Sequence, residues 1–404
     1  MTAPWVAGVA ADHPFGVDNL PYGAAVIGGV PSVVVRIGDL ALDLSSVGAA
    51  LRPDLAPLVA GPVLNPLLAT GPQIWRELRG ALRSWLVDDA YRPAIEPHLH
   101  PLDQLSLRLP FAVGDYVDFY ASEHHATNVG RLFRPDGEPL TPNWKHLPIG
   151  YHGRSGTIVV SPTGIGRPSG QVRGSEMPTF GPSQGLDFEA EVGFVLGAAT
   201  SPGVPVRLDQ AREHIFGVCL VNDWSARDIQ SWETVPLGPF LAKSFATSLS
   251  PWVVPIEALD DARVAPPARD VALLPYLDDA TSEPWGLDIE LSVEINGAQI
   301  TRPAFATMYW TAAQMLAHMT VNGASVRPGD LFASGTVSGP SPDQLGCLLE
   351  LTRGGSVPLR LADGTERSWL ADGDEVVIRG WVPATSGRPE LGLGEVRGRI
   401  RPAH

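Results

Sequence analysis

The segment 186–194, LDFEAEVGF, carries Asp187, Glu189 and Glu191 at alternate positions. In a β-strand, residues two apart share one face, so the three carboxylates are predicted to point the same way. Neighbouring carboxylates repel one another unless water or a counter-charge separates them. Two interpretations follow: a solvated outer face of a sheet, or a face that holds a cation.

Two further acidic segments favour the cation. Asp223 ends an apolar run at 218–222 and is followed by a polar turn, and Asp118 lies in GDYVDFY at 114–120. Oxygen ligands from separate segments suit a hard cation such as Mg²⁺, Ca²⁺ or Mn²⁺. The chain has no HExxH, paired CxxC or EF-hand motif, which disfavours zinc enzymes and calcium sensors.

Four of the ten histidines lie between residues 124 and 152, namely His124, His125, His146 and His152. A neutral histidine near pH 7 is a natural general base, although any single one is more often structural. Adjacent His124 and His125 point in different directions, so at most one is expected to be catalytic. No GxSxG nucleophile elbow is present, and Cys219 lies in an apolar strand, so no covalent nucleophile is evident.

The elements that must position these residues divide into two units. Residues 1–110 are predicted to form a small N-terminal unit with strands on either side of Gly38, a helix beginning near Thr70, and a Pro-rich linker at 97–110. Residues 111–404 are predicted to form a mainly β domain, with strands at 186–196, 216–222, 288–295, 330–333 and 374–380. A row of apolar side chains from Phe305 to Met319 predicts one helix that ends at Asn322–Gly323.

Composition limits the classes of partner. The chain has 404 residues and a formal net charge of −15, and a field of that sign repels nucleic acid and anionic membrane surfaces. Its two cysteines exclude a disulfide scaffold. No targeting segment or membrane span is evident, which predicts a cytoplasmic protein. Lys145 and Lys243 are the only lysines among 29 basic residues, so a retained lysine indicates a specific requirement.

Taken together, these segments resemble the fumarylacetoacetate hydrolase family. The matching strings are DYVDFYASEHHATNVGRLFR (115–134), PNWKHLPIGYHGR (142–154), LDFEAEVGF (186–194), HIFGVCLVNDWSARDIQSWE (214–233), PLGPFLAKSFATSLSPWVVP (236–255), VNGASVRPGDLFASGTVSG (321–339) and DGDEVVI (372–378). The likeness covers nearly all of 111–404 and extends weakly to PFGVDNLPYG (14–23). It implies an α+β, mainly β fold, with a small SH3-like barrel at 1–110, a large mixed β-roll domain at 111–404, and a homodimer.

The resemblance also implies a site. It places a divalent cation, Mg²⁺ or Ca²⁺, on Asp118, Glu189, Glu191 and Asp223, with Lys243 and Thr247 as a further set near the metal, and leaves Asp187 as a neighbour. It makes His125 the general base, oriented by Glu350, and Arg227, Gln230 and Lys243 catalytic donors. The residues that it implies for the substrate site are Tyr120, Arg134, Tyr151, Gln230 and Thr336.

The implied reaction is the hydrolysis of a carbon–carbon bond in a 1,3-diketo acid, fumarylacetoacetate, to fumarate and acetoacetate. The leaving group is a carbanion, which becomes stable enough only as an enolate with its oxygen near a cation. Thr234 departs from the family pattern, which usually has a tyrosine that contacts substrate there. The alternatives are hydrolysis of another acylpyruvate or 1,3-diketo acid, related enolate chemistry on the same scaffold, or a non-catalytic metal-binding protein, which would need no His125–Glu350 pair.

Overall fold

The computed structural model describes residues 2–404, which form two β-rich regions. The N-terminal strands are β1 Tyr22–Ile27, β2 Val30–Ile37, β3 Leu40–Asp43, β4 Leu99–Pro101 and β5 Ser106–Arg108. They form an antiparallel sheet in the order β4-β3-β2-β1-β5. The helices of this region are α1 Leu44–Leu51, α2 Ala56–Val59, α3 Asn65–Leu68, α4 Pro72–Val87 and α5 Arg92–Ile95.

Two details of the N-terminal region differ from the sequence-based expectations. The segment 97–110 is not a linker, because it contributes β4 and β5, the two edge strands of the sheet. Prolines are tolerated in such strands because one edge needs no ladder hydrogen bonds. Helix α4 begins after Gly71 at φ 86° rather than at Thr70, with Pro72 at the first helical position where its missing N–H costs nothing. The predicted strands around Gly38 are confirmed, with Gly38 in the left-handed region at φ 59°.

The larger region contains the remaining elements. Its helices are α6 Glu123–Phe133, α7 Ala211–His214, α8 Arg227–Glu233, α9 Leu241–Ser244, α10 Ala312–Thr320 and α11 Leu348–Leu351. Its strands are β6 Tyr116–Phe119, β7 Gly150–His152, β8 Ile158–Val160, β9 Ile165–Gly166, β10 Ser169–Val172, β11 Thr179–Pro182, β12 Leu186–Asp187, β13 Ala190–Leu196, β14 Ile215–Asp223, β15 Ser225–Ala226, β16 Thr247–Leu249, β17 Val254–Pro255, β18 Arg263–Val264, β19 Gly286–Leu287, β20 Glu290–Ile295, β21 Ala298–Thr301, β22 Leu331–Ala333, β23 Leu359–Arg360, β24 Glu366–Arg367, β25 Glu375–Val382 and β26 Leu391–Arg401.

One mixed sheet of this region matters most for the site. Its order is β7-β6-β22-β13-β14-β16-β8, with β17 also paired to β14. The β22–β6 and β16–β8 pairs are parallel, and the other pairs along this order are antiparallel. A second sheet has the order β21-β20-β25-β26-β9. The fold is therefore α+β and mainly β, with an antiparallel N-terminal sheet and a large mixed sheet, as predicted.

The predicted helix through the methionine row is shorter than expected. Helix α10 begins only at Ala312, because the Thr311 side chain and Gln314 form a capping box at its start. Phe305–Thr307 forms a separate 3-10 turn. Met308 and Met315 are buried in the core, as the core-packing interpretation predicted.

The N-terminal region packs on the back of the large sheet. Trp75 of α4 meets Phe216 of β14 edge-on at a centroid distance of 5.3 Å, and Tyr22 of β1 lies 5.4 Å from the same ring. A shared apolar cluster includes side chains from both regions. Burial of this cluster anchors β14 from behind, which positions Asp223 at its end. Within residues 2–404, no helix combines the length and apolar character that crossing a bilayer requires.

Candidate active site

Four buried carboxylates converge on the large sheet. Asp118 belongs to β6, Glu191 to β13 and Asp223 ends β14, while Glu189 lies in the gap before β13. Oxygen atoms of all four lie within 4.8 Å of one another. The strand order brings them together across four neighbouring strands, although they span 105 positions of the sequence. We call Asp118, Glu189, Glu191 and Asp223 the carboxylate cluster.

The segment 186–194 is not one continuous strand. Strand β12 ends at Asp187 and pairs with β15, whereas β13 begins at Ala190 and pairs with β14. The break lets Glu189 and Glu191 join the same cluster while Asp187 turns toward Arg227, with Asp187 Oδ2 2.9 Å from Arg227 Nε. The solvated-face interpretation is wrong, because all three side chains are buried.

The cluster has too few donors for its charge. Lys243 Nζ lies 2.7 Å from Glu189 Oε2 and 2.6 Å from Asp223 Oδ2. Arg227 Nη1 lies 2.7 Å from Glu189 Oε1. Asp118 Oδ1 and both oxygens of Glu191 are buried without any hydrogen-bond partner. Unpaired buried carboxylates are strongly unfavourable, so this arrangement requires protons or a cation.

The pKa is raised for three members of the cluster, Asp118, Glu191 and Asp223, and lowered for Glu189. Burial, reinforced by Asp223, raises the pKa of Asp118 well above its usual range. Burial also raises the pKa of Glu191, with repulsion from Asp118 adding to it. For Glu189, burial acts upward, but the charges of Lys243 and Arg227 outweigh it and lower the pKa. A divalent cation would relieve the repulsion at the two unpartnered residues, and the all-oxygen donor set suits one.

Lys243 and Thr247 lie on the side of the cluster formed by Asp223. Thr247 Oγ1 is 3.3 Å from Asp223 Oδ1, in register across the β14–β16 pair. Burial acts to lower the pKa of Lys243, but attraction to Asp223 and Glu189 outweighs it and raises that pKa. The ammonium is therefore held protonated between two carboxylates.

The predicted contact between His125 and Glu350 is present. His125 Nδ1 lies 2.7 Å from Glu350 Oε2, and both side chains are buried. His125 sits in the first turn of α6, where the Ser122 hydroxyl caps its backbone N–H at 3.1 Å. Since Glu350 accepts the Nδ1 proton, Nε2 is the ring nitrogen that carries the lone pair. His124 does not line the cavity, and His152 is exposed.

Three donors that sequence analysis missed surround Glu350. Asn128 Nδ2 donates to Oε1 at 2.8 Å, while Ser338 Oγ and Cys347 Sγ lie 2.7 and 3.2 Å from Oε2. Burial acts to raise the pKa of Glu350, but His125 and the hydrogen bonds from Asn128 and Ser338 outweigh it and lower that pKa. Asn128 follows His125 by three residues on one helix, a spacing that could have indicated it. Cys347 precedes Glu350 by the same spacing, whereas nothing in the local sequence indicates Ser338. We call Asn128, Ser338 and Cys347 the Glu350 cradle.

A cavity of about 360 Å³ joins the carboxylate cluster to His125. Most of the predicted site residues line it: Asp118, Tyr120, His125, Tyr151, Glu189, Arg227, Gln230, Thr234, Lys243 and Thr336. Its apolar wall includes Val129, Phe133, Ile149, Leu237, Pro239 and Leu349, which sequence analysis did not identify.

Two buried donors of the cavity lack partners. Arg227 Nη2 and Thr336 Oγ1 are buried without a hydrogen bond, although Arg227 Nη1 bonds to Gln230 Oε1 at 3.0 Å. Gly335 holds the backbone beside Thr336 at φ 73°, where a Cβ would lie 2.1 Å from the Phe119 carbonyl oxygen. Unpartnered donors in a cavity are suited to oxygen atoms of a ligand.

Arg134 does not line the cavity, and unlike Glu350 and Thr247 it has no hydrogen bond to another predicted site residue. It is exposed at the end of α6, and its Nη2 donates to the Pro139 carbonyl oxygen at 2.5 Å. Tyr151 donates from its hydroxyl to Asp223 Oδ2 at 3.2 Å, so it links the cavity wall to the carboxylate cluster. Tyr120 packs edge-on against His125 at 5.3 Å.

Comparison with known proteins adds family evidence to this geometry. Residues 18–110 match the family model for the fumarylacetoacetase N-terminal domain, and residues 116–401 match that for the fumarylacetoacetate hydrolase C-terminal domain. The chain is 44% identical to the fumarylacetoacetases of Bos taurus and Homo sapiens, and 43% identical to that of Arabidopsis thaliana. Each alignment covers 98% of this chain and at least 97% of the relative.

Solved structures with low sequence identity share the fold. A fumarylacetoacetate hydrolase from Exiguobacterium antarcticum superposes with a TM-score of 0.55 at 16% identity, covering 95% of this chain and all of that one. A maleylpyruvate hydrolase from Sphingobium sp. SYK-6, in complex with manganese(II) and pyruvate, gives 0.52 at 15% identity with the same coverage.

Proposed function

The chain belongs to the fumarylacetoacetase family, and from that premise we propose that it hydrolyses fumarylacetoacetate to fumarate and acetoacetate. The single observation that carries the proposal is the cavity in which the His125–Glu350 pair faces the carboxylate cluster. A histidine base and a cation-binding set suit the hydrolysis of the carbon–carbon bond of a 1,3-diketone, because the base activates water and the cation stabilises the leaving enolate. The reaction would form the last step of tyrosine and phenylalanine degradation.

His125 and Glu350 would activate the attacking water. Nε2 of His125 takes a proton from water as the hydroxyl oxygen bonds to the substrate carbonyl carbon. Glu350 holds the Nδ1 proton and stabilises the imidazolium that results. Its lowered pKa keeps it ionised, so it orients the ring without removing that proton.

Arg227 and Thr336 would bind oxygen atoms of the substrate, because each has a buried donor with no protein partner. Gln230 supports Arg227 through its side-chain oxygen. The carbon–carbon bond then breaks, its electron pair leaves on acetoacetate as an enolate, and the proton taken up by His125 is available to the new C–H bond. Tyr120, Tyr151 and Arg134 complete the proposed substrate set, with Arg134 needing to move from its carbonyl partner.

Asp118, Glu189, Glu191 and Asp223 would hold the divalent cation, proposed to be Mg²⁺ or Ca²⁺. When bound, the cation would supply positive charge to the enolate oxygen and fix the orientation of the two keto oxygens. Lys243 would act through its charge, since a protonated amine has no lone pair for a metal. Thr247 would hold Asp223 in place through its hydroxyl.

The N-terminal unit, proposed to end at residue 110, carries none of these residues and supports the sheet from behind. A homodimer and a cytoplasmic location are further parts of the proposal. Large exposed apolar side chains support association of two copies: Val235 is 85%, Leu237 95% and Phe180 76% exposed. Light scattering on the purified protein measures the number of copies directly.

The test of the proposed function is direct. Purified protein with Mg²⁺ should remove the absorbance of fumarylacetoacetate, and NMR should identify fumarate and acetoacetate in equal amounts. An acylpyruvate serves as the second substrate, because Thr234 in place of the family's usual tyrosine alters one wall of the cavity. Higher kcat/KM on the acylpyruvate would reassign the substrate while keeping the reaction, and no turnover of either would refute the proposal.

A further inference from the structure

Asp187 is a fully buried carboxylate that lies beside the carboxylate cluster without belonging to it. Each of its oxygens has donors. Oδ1 accepts from the backbone N–H groups of Leu348 at 2.7 Å and Phe188 at 2.8 Å. Oδ2 accepts from the backbone N–H of Leu349 at 2.9 Å and from Arg227 Nε at 2.9 Å. This one side chain therefore joins three segments that are distant in sequence.

The first segment carries Arg227. Its Nε is held by Asp187, and its Nη1 by Glu189 and Gln230. These contacts leave Nη2 as the buried nitrogen without a partner. The direction in which Nη2 points thus depends on the Nε contact, because a planar guanidinium fixes all its N–H directions together.

The second segment carries Glu350. Leu348 and Leu349 are the first two residues of α11, and Glu350 follows them. A helix of four residues has little stability of its own. The two hydrogen bonds to Asp187 tie the start of this helix to β12, which helps to fix the Glu350 carboxylate 2.7 Å from His125.

We propose that Asp187 is a positioning residue that sets Arg227 and the His125–Glu350 pair in one common geometry. Asp187 does not line the cavity, so it acts through these residues rather than on the substrate. The expected loss of kcat rests on the proposed hydrolysis. The expected change in the geometry of Arg227 and Glu350 rests on the contacts alone. A carboxylate with four donors is rigid, and a rigid carboxylate suits the alignment of groups on two separate elements.

Asp374 offers a matched control elsewhere in the fold. It is also buried, pairs with Arg367 at 2.8 and 3.0 Å, and accepts from the Ala371 backbone N–H and Asn296 Nδ2 at 2.8 Å each. It lines none of the cavity. Asp187→Asn and Asp374→Asn therefore each replace a buried carboxylate that has similar donors. Asp187 is linked to the candidate site, whereas Asp374 is remote from it.

The experiment compares kcat, KM and the melting temperature of both variants. We expect both to melt at lower temperature, and kcat to fall about 100-fold in Asp187→Asn alone, the size of effect that a displacement of about 1 Å can cause. Double-mutant cycles combine Asp187→Asn with Glu350→Gln or with Arg227→Lys. In each double variant, kcat should fall by less than the product of the fold-losses of the two single variants. Equal kcat losses in Asp187→Asn and Asp374→Asn, or losses that simply multiply in both cycles, would overturn the inference.

A crystal structure of Asp187→Asn separates this inference from the proposed function. We expect the Arg227 guanidinium to turn and the His125–Glu350 distance to lengthen, whether or not the wild type hydrolyses fumarylacetoacetate. An unchanged orientation of the Arg227 guanidinium together with an unchanged His125–Glu350 distance would refute the positioning role. Wild-type protein that turns over no substrate would refute the proposed function alone. If Asp187→Asn does not fold, Asp187→Ser, which keeps an acceptor in a smaller side chain, is measured in the same ways.

Discussion

The carboxylate cluster and the Glu350 carboxyl group both lie near the same cavity, the latter through its contact with His125, and they are satisfied in opposite ways. Glu350 receives hydrogen bonds from His125 and from all three members of the Glu350 cradle. In the carboxylate cluster, both oxygens of Glu191 and one of Asp118 receive none. Both groups are almost fully buried. The difference therefore lies in the donors supplied by the fold and not in the degree of burial.

The pKa values of Glu350 and of the two residues with unpartnered oxygens also differ in direction. The pKa of Glu350 is lowered despite burial, whereas the pKa values of Asp118 and Glu191 are raised by it. A carboxylate whose pKa is lowered, as for Glu350, stays an anion near neutral pH and can orient a neighbour. Carboxylates without donors are suited to bind a cation or a proton from solution. We infer that the cluster is built to bind a cation and the cradle to position the base.

The largest expected effect comes from removing the cation. Excess EDTA should abolish turnover, and Asp223→Ala should remove activity and lower metal affinity together, since the cluster oxygens without donors would otherwise have to be protonated. Full activity of metal-stripped enzyme in EDTA would contradict the role assigned to the cluster. In wild type, Mg²⁺ or Ca²⁺ at 100 times its Kd should raise the free energy of unfolding by about 2.7 kcal/mol, which calorimetric melting measures.

His125→Asn should give the next largest effect. It should lower kcat by roughly 10²–10⁴, the usual contribution of a general base, and leave KM and metal affinity largely unchanged. His124→Asn is the matched control, because the adjacent ring does not line the cavity. Circular dichroism first establishes that both variants fold. Near-normal kcat in His125→Asn would move the base to another residue.

Glu350→Gln should lower kcat by less than His125→Asn does, roughly 10–100-fold, as expected for a residue that orients another. Because the two residues act as one unit, adding Glu350→Gln to His125→Asn should lower kcat only slightly further. Stopped-flow or steady-state rates of the four combinations measure this coupling. Losses that multiply in the double variant would mean that the two side chains act independently.

Asn128→Leu tests the cradle through stability. Loss of one hydrogen bond to a buried charge should lower the free energy of unfolding by about 1.5–3 kcal/mol at pH 7. Since the folded-state pKa of Glu350 lies below its usual value, this stabilisation is present above the unfolded pKa of about 4.3 and fades as pH falls through the folded value. Urea unfolding at pH 7 and at successively lower pH values below about 4.3 should show the gap in unfolding free energy between variant and wild type narrowing. A gap that widens on acidification would contradict the ionised state of Glu350.

The smallest effect is expected at Thr234. Its hydroxyl donates to the Gln230 carbonyl oxygen at 2.6 Å, so it offers no free donor to the cavity. Thr234→Tyr should lower KM for fumarylacetoacetate roughly 2- to 10-fold, the value of one added hydrogen bond, or narrow the range of acyl substrates. An unchanged KM and substrate range would show that the position has only a structural role.

Sequence patterns indicated candidate site residues because chemistry restricts residue type. Carboxylates at alternate positions favoured a cation site and the histidine cluster a general base, while the family resemblance selected His125 and Lys243. The mainly β character also followed from alternating apolar segments. Family resemblance supplied the pairing of His125 with Glu350, since no local pattern links residues 225 positions apart.

Tertiary structure decided which oxygens have partners. The break between β12 and β13 turns Asp187 toward Arg227, although the alternating pattern predicted one shared face with Glu189 and Glu191. Asn128 and Ser338 reach Glu350 only because separate segments fold against it. Arg134, predicted at the substrate, instead bonds to a backbone carbonyl. A hydrogen bond depends on distances of a few tenths of an ångström between distant segments, whereas a sequence pattern determines only residue type and local periodicity.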